Sequence, residues 1–193
     1  MLANKKDEVF LENYFSSFID LLRISKKFKN KIIEVKKKLL NIKKRKKKVI
    51  IFGNGGSAAI ASHFSVDLTK NAKIRSINFN ESDLITCFSN DYGYENWIKK
   101  SIEYYYDKGD LIIAISSSGS SKNILNACKY AKEKKLKLIT LTGKNINNPV
   151  SKLGNINFFI DSKSYNHIEN CHQFLLLSLV DLIIGKKNYS SNR

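Results

Sequence analysis

The sequence lacks any apolar run long enough to cross a bilayer, which takes about 20 residues. The longest apolar stretch, residues 174–184, is interrupted by Ser178 and Asp181 and predicts a buried core helix. The first residues also lack the apolar segment and the small-residue cleavage site of a secretory signal. We therefore expect a cytoplasmic chain that does not enter a membrane.

Cysteine is scarce, and its odd number and irregular spacing fit neither a disulfide framework nor a metal-binding motif. The three cysteines are Cys87, Cys128 and Cys171, each among apolar neighbours in the sequence. This pattern predicts reduced thiols that pack as small apolar side chains, as is usual in the cytosol.

Acidic residues and arginine are also scarce. Asp and Glu number 17 against 34 Lys and Arg, so the formal net charge is +17, and only four of the basic residues are arginines. Readers of nucleic-acid bases rely on arginine, whose planar fork matches guanine and phosphate. The one dense basic run, residues 43–48, ends a predicted helix, where cations complement the helix dipole. We therefore expect a solvated face and no nucleic-acid partner, with polyanion binding by this run as the alternative.

Helices and strands are predicted from the spacing of the apolar residues. Helical spacing indicates two amphipathic helices at residues 7–24 and 30–47. Short apolar runs that predict strands then alternate with helix-like stretches. The strands are predicted at 49–52, 74–79, 111–115, 136–141 and 156–160, and the helices between and after them at 57–69, 94–106, 120–134 and 166–184.

This alternation predicts an α/β domain in which helices cover both faces of a parallel sheet. We place the helical pair of residues 1–47 in the same domain as residues 48–187, and a flexible tail at 188–193. Ligands of such sheets bind beyond the carboxyl ends of the strands. The loops that follow the strands are therefore where the candidate site is expected.

Two of these loops have a composition suited to anions. The glycine loop, residues 53–57, reads Gly-Asn-Gly-Gly-Ser, and its glycines let backbone N–H groups approach a polar ligand. Ser57 is a predicted N-cap of the next helix, and a bare strand-to-helix link is the alternative for the whole loop. The serine loop, residues 116–121, reads Ser-Ser-Ser-Gly-Ser-Ser before a predicted helix, and its hydroxyls and free amides predict a phosphate cradle.

Other candidate side chains lie outside these loops. Asn90 and Asp91 either hydrogen-bond sugar hydroxyls or form a turn. Two pairs share helix faces and could supply acid–base groups or metal ligands: His63 with Asp67, and Glu169 with His172. For each pair the alternative is a hydrogen-bonded structural role.

Together these segments resemble the SIS (sugar isomerase) family, in its phosphoheptose isomerase branch. The resemblance runs in order over about residues 10–185 and is carried by both loops, His63-Phe64, and residues 89–94 and 138–143. It implies a three-layer, flavodoxin-like fold with a five-stranded parallel sheet, in a homotetramer with active sites at subunit interfaces. It also implies conversion of sedoheptulose 7-phosphate to a mannoheptose 7-phosphate, a precursor of lipopolysaccharide or capsule heptose.

The resemblance assigns the phosphate to the serine loop and the sugar to the other site residues. The predicted substrate-binding set is Asn54, Gly55, Gly56, Ser57, Asn90, Asp91, Ser116, Ser117, Ser118, Ser121 and Glu169. The candidate catalytic set is Glu169, His63, Asp67 and His172.

Three departures from the family pattern bear on catalysis. The chain has Asp67 where the family has a catalytic, metal-binding Glu, Glu169 where it has a Gln, and Leu177 where it has a second His. Of the four zinc ligands that the resemblance implies, only His63 is unchanged. Zinc is therefore left open by the resemblance and is not carried over as a cofactor.

Two hypotheses remain for the chemistry. In the leading one the chain is a sugar-phosphate isomerase, in which Glu169 removes a proton next to the carbonyl and His63 or His172 shuttles it to oxygen through an enediol. In the other, only phosphosugar binding remains, as in regulatory proteins of this fold.

Overall fold

The computed structural model describes residues 4–188, apart from the side chains of residues 24–26. The predicted tail therefore lies outside the described residues except for Asn188. The elements in chain order are α1 (Lys5–Ile24), a 3₁₀ turn (Ser25–Phe28), α2 (Lys29–Lys44), β1 (Val49–Phe52), α3 (Gly56–Lys70), β2 (Ser76–Ile77), α4 (Ser82–Tyr92), α5 (Trp97–Tyr105), β3 (Leu111–Ser116), α6 (Lys122–Glu133), β4 (Lys137–Gly143), β5 (Ile156–Ile160) and α7 (Tyr165–Ile184).

The five strands form one parallel sheet in the order β2-β1-β3-β4-β5, which confirms the predicted fold class. Every residue of β1 and β3 is buried, as their continuous apolar runs predicted. Alternate residues of each strand face opposite cores. Val49 and Ile51 pack with α2, α3 and α7, whereas Ile50 and Phe52 pack with α5 and α6.

The prediction was wrong between residues 74 and 94. The predicted six-residue strand is the two-residue edge strand β2, where the Ser76 hydroxyl bonds to Ser65 and lies 3.0 Å from the Thr69 hydroxyl. No helix was predicted between residues 80 and 93, where the structure has α4, and Leu84 and Phe88 of this helix are partly buried against the α5–α6 core. Polar turn-forming residues on its other face hid this helix from the sequence pattern.

The basic run at the end of α2 is not wholly solvated, contrary to the prediction. Lys48 is buried, and its ammonium lies 2.7 Å from Asp110 Oδ2 and 2.8 Å from Asp107 Oδ2. Burial alone would lower the pKa of Lys48, but the hydrogen bonds to the two carboxylates outweigh it and raise the pKa. Because Lys48 precedes β1 and Asp110 precedes β3, this ion cluster fixes two strand starts to each other.

The cysteine prediction is correct for two of the three thiols. Cys128 and Cys171 are buried, which raises their thiol pKa values to about 12 and about 11. Cys87 is exposed on α4, with its sulfur 3.7 Å from Asp91 Oδ2. Within the described residues, no helix is long and apolar enough to cross a membrane.

Candidate active site

The candidate site lies at the carboxyl ends of β3, the central strand of the sheet, and of its neighbour β1. The chain leaves these neighbouring strands in opposite directions across the sheet, which opens a crevice between the loops that follow them. The glycine loop follows β1 and the serine loop follows β3. The sheet order therefore brings together the two segments that the sequence analysis selected.

The glycine loop turns directly into α3. Gly55 precedes the helix with φ +54° and ψ −123°, a backbone conformation that only glycine adopts without strain. The helix begins at Gly56, so Ser57 lies within its first turn and is buried. The prediction of Ser57 as the N-cap was wrong, because the chain enters the helix two residues earlier.

The serine loop is held in shape by its own hydrogen bonds. The Ser116 hydroxyl accepts the Gly119 amide at 3.1 Å, and the Ser118 hydroxyl accepts the Ser120 amide at 3.3 Å. Gly119 has φ +63°, and a Cβ atom there would collide with the Asn148 side chain. Helix α6 begins right after the loop, at Lys122. The Ile124 amide of its first turn donates to Asn123 Oδ1 at 3.0 Å, whereas the amides before it precede the first backbone hydrogen bond of the helix, which runs from Leu125 to Ser121.

Asn123 links the two loops and was not selected from the sequence. Its amide and that of Asn54 form a reciprocal pair, with nitrogen-to-oxygen distances of 3.0 and 2.8 Å. Asn123 is buried, so the pair holds the glycine loop in register with the start of α6. A lone Asn in a helical stretch gives no sequence signal for such a role.

Glu169 approaches the crevice from α7. Its carboxylate covers Gly56 so closely that a Cβ atom there would collide with it. The Ser117 hydroxyl lies 3.4 Å from Glu169 Oε1 and donates to it. A cavity of about 110 Å³ lies between these groups, and it is lined by Asn54, Ser57, Ile115, Ser116, Ser117, Ser118, Ser121, Tyr165 and Glu169.

Tyr165 and Lys144 are further residues that the sequence analysis missed. Tyr165 is the first residue of α7 and lines the cavity. The Lys144 ammonium lies 3.3 Å from the centre of the Tyr165 ring, a cation–π contact that holds the ring at the cavity edge. Lys144 follows β4, and its position after a strand end was the signal that could have identified it.

Several predicted site residues do not reach this cavity. Asn90 and Asp91 are exposed at the end of α4, where the Asn90 amide bonds to Asp91 Oδ1 at 2.9 Å. His172 is fully buried, with Nε2 3.2 Å from the Thr142 carbonyl oxygen. Burial lowers the pKa of His172 to about 4. The proposed proton-shuttle role of His172 is therefore corrected to a core role.

His63 and Asp67 lie further along α3. His63 is seven residues beyond Gly56, about 10 Å along the helix axis at 1.5 Å per residue. Its Nε2 lies 3.6 Å from Asp67 Oδ2, and its Nδ1 lies 3.3 Å from the amide nitrogen of Gln173 on α7. Neither His63 nor Asp67 is among the residues that line the cavity.

Comparisons with known proteins decide the family. The SIS domain model matches residues 13–143. A phosphoheptose isomerase of Buchnera aphidicola subsp. Acyrthosiphon pisum is 35% identical over 90% of this chain and 95% of its own length. The chain belongs to the SIS domain family, in its phosphoheptose isomerase branch.

Other members of the branch agree with this placement. A phosphoheptose isomerase of Fusobacterium nucleatum is 34% identical over 81% of this chain and 84% of its own length. A solved phosphoheptose isomerase structure from Francisella tularensis superposes with a TM-score of 0.85 at 25% identity, over 95% of this chain and 100% of that one.

The zinc set that the resemblance implies for this branch does not fit the residues present. Leu177 offers no donor atom, and the Glu169 carboxylate is directed at Gly56 and Ser117. Among the described residues, no three His, Cys, Asp or Glu side chains are grouped so that they could hold a metal ion. A tetrahedral zinc site requires such a group.

Proposed function

We propose that the chain is an aldose–ketose isomerase that converts sedoheptulose 7-phosphate to D-glycero-D-manno-heptose 7-phosphate. The observation that carries this proposal is the cavity in which the serine loop, the start of α6 and the Glu169 carboxylate meet. The names of the similar proteins support the choice of substrate, since they are phosphoheptose isomerases.

The serine loop and the start of α6 would bind the phosphate. The Ser118 and Ser121 hydroxyls line the cavity, and the amides of Lys122 and Asn123 at the start of α6 would add donors at the positive end of the helix dipole. This grip orients the sugar without using a charged side chain. The phosphate is the same in substrate and product, so binding it accelerates the reaction mainly by holding the sugar in position.

Glu169 is the proposed base. It would take a proton from C1 of the ketose, which gives a 1,2-enediol, and return the proton to C2, while the O1 proton moves to O2. The product is the aldose, and no oxidant or reductant is needed. The Ser117 hydroxyl, which donates to Glu169, is the nearest group that could pass the proton between the oxygens.

A phosphosugar-binding protein without turnover is the second candidate. It is favoured by Leu177, by the core position of His172 and by the distance of His63 from the cavity. The last two set aside groups that the isomerase hypothesis first counted as catalytic, and Leu177 stands where the resemblance implies a second His. Tight binding of the sugar phosphate with no turnover would establish this candidate.

The test is an isomerase assay on sedoheptulose 7-phosphate with and without chelator. We expect turnover that survives chelation and that falls by about 10²–10⁴-fold in Glu169→Gln, because the amide cannot accept a proton. Glu133→Gln, the same change at an exposed residue of α6, is the matched control and should keep full activity. Undiminished turnover in Glu169→Gln would refute the assignment of the base.

The proposal includes a homo-oligomer and a cytoplasmic location. Helix α1 exposes Phe10, Phe15 and Ile19, which is consistent with a covering partner copy. Two free, buried thiols are typical of proteins in a reducing compartment.

A further inference from the structure

One side of α7 carries Glu169, Gln173 and Leu177, of which Glu169 contacts Gly56 and Gln173 contacts His63 on α3. These residues are four apart, so they lie above one another on successive turns. The first and third occupy positions where the resemblance implies zinc ligands. Gln173 lies between them and is the only glutamine in the chain.

Gln173 competes for the Nδ1 lone pair of His63. The Gln173 amide nitrogen lies 3.3 Å from His63 Nδ1, and an amide nitrogen donates, so Nδ1 accepts in this hydrogen bond. His63 Nε2 lies 3.6 Å from Asp67 Oδ2, beyond hydrogen-bond distance. A zinc ion bound at Nδ1 would need the same lone pair that the Gln173 amide uses.

The position below Gln173 is unsuited to a metal as well. Leu177 lines a cavity of about 360 Å³ between α1 and α7, together with Phe18 and Phe174. Its apolar side chain offers no ligand. A metal at His63 would therefore find no ligand at position 177 even if Gln173 moved away.

We infer that the Gln173 amide takes the place that zinc has in the family pattern, so that a hydrogen bond to His63 joins α3 and α7 where a metal would otherwise do so. This inference depends on family membership and not on the proposed isomerase activity. It makes Gln173 a positioning residue, and it predicts that the chain binds no zinc at this site.

The test measures zinc binding directly, by competition with a chromophoric chelator and by zinc content after gel filtration. The restored variant Asp67→Glu/Glu169→Gln/Leu177→His supplies the missing ligands but keeps Gln173. Adding Gln173→Ala to the restored variant removes the competing amide. Adding Asn170→Ala in its place gives the matched control, because Asn170 is exposed and its amide bonds to Asn166 on the same helix. Melting curves establish whether each variant is folded. If a restored variant does not fold, Gln173→Ala/Leu177→His is used in its place.

We expect no zinc in the natural chain and zinc affinity at least about tenfold higher with Gln173→Ala than with Asn170→Ala in the restored background. One tightly bound zinc per natural chain that is lost in His63→Ala would overturn the inference. Equal zinc affinity with and without Gln173 would overturn it too, and so would failure of Gln173→Ala to restore binding. The test does not measure turnover, so its result can be interpreted even if the chain has no isomerase activity.

Discussion

At the scale of single residues, His172 makes stability depend on pH. Burial lowers its pKa from 6.5 to about 4. Between these two pH values the imidazole is protonated in the unfolded chain and neutral in the folded chain. Above pH 6.5 the titration of His172 therefore costs the folded state no stability. It loses stability as the pH falls towards 4, by about 3 kcal/mol in all.

We expect His172→Gln to remove this part of the pH dependence. Urea unfolding at about pH 8 and about pH 5 gives the free energy of unfolding of both proteins, and the natural chain should lose more on acidification. Only the difference between the two pH values is compared, because the replacement itself also changes packing. An equal loss in both proteins would contradict the buried, neutral state of His172.

At the scale of secondary-structure elements, the Lys48 ion cluster ties β1 to β3 before either strand begins. Asp110 is fully buried, and it also accepts the backbone amides of Lys48 and Asp107. Lys48→Met leaves this carboxylate without its cation. We expect a loss of about 3 kcal/mol in the free energy of unfolding, measured in urea, because an uncompensated buried charge is costly.

The control for this cluster is Lys44→Met, the same change at an exposed position of α2. It should alter the free energy of unfolding by less than about 0.5 kcal/mol. Adding Asp110→Asn to Lys48→Met should recover part of the loss, since the buried charge is then absent. A Lys48→Met protein as stable as the Lys44→Met protein would show that the cluster contributes nothing.

At the scale of the whole molecule, α1 is covered on one side only. Its inner face packs on α7, with the Tyr14 and His167 rings 4.3 Å apart. Its outer face exposes Leu11, Phe15 and Ile19, which are four residues apart and 48%, 56% and 49% accessible. Apolar residues clustered on one exposed helix face mark an interaction surface.

We expect the natural chain to self-associate through this face, and Phe15→Lys/Ile19→Lys to shift it towards monomer in size-exclusion chromatography with light scattering. Ile146→Lys is the matched control, because Ile146 is equally exposed but lies on a loop away from α1. It should leave the mass unchanged. A natural chain that is monomeric at every concentration would contradict the expected self-association.

The sequence by itself determined the sheet and the two loops at its centre. β1 and β3 are continuous apolar runs because both of their faces are covered, and their ends are marked by glycine and serine. These signals are local in the chain. The resemblance to a known family added the expected reaction and the phosphate-binding role of the serine loop.

Tertiary structure alone decided which side chains reach the crevice. Glu169 and His172 are three residues apart on α7, yet one covers Gly56 and the other is fully buried in the core. The docking of α7 against α3 and the sheet makes this choice, because His172 lies about 60° around the helix and about 4.5 Å further along its axis than Glu169. Asn123 and Gln173 acquire their roles in the same way. Their partners are distant in sequence, and only packing brings them together.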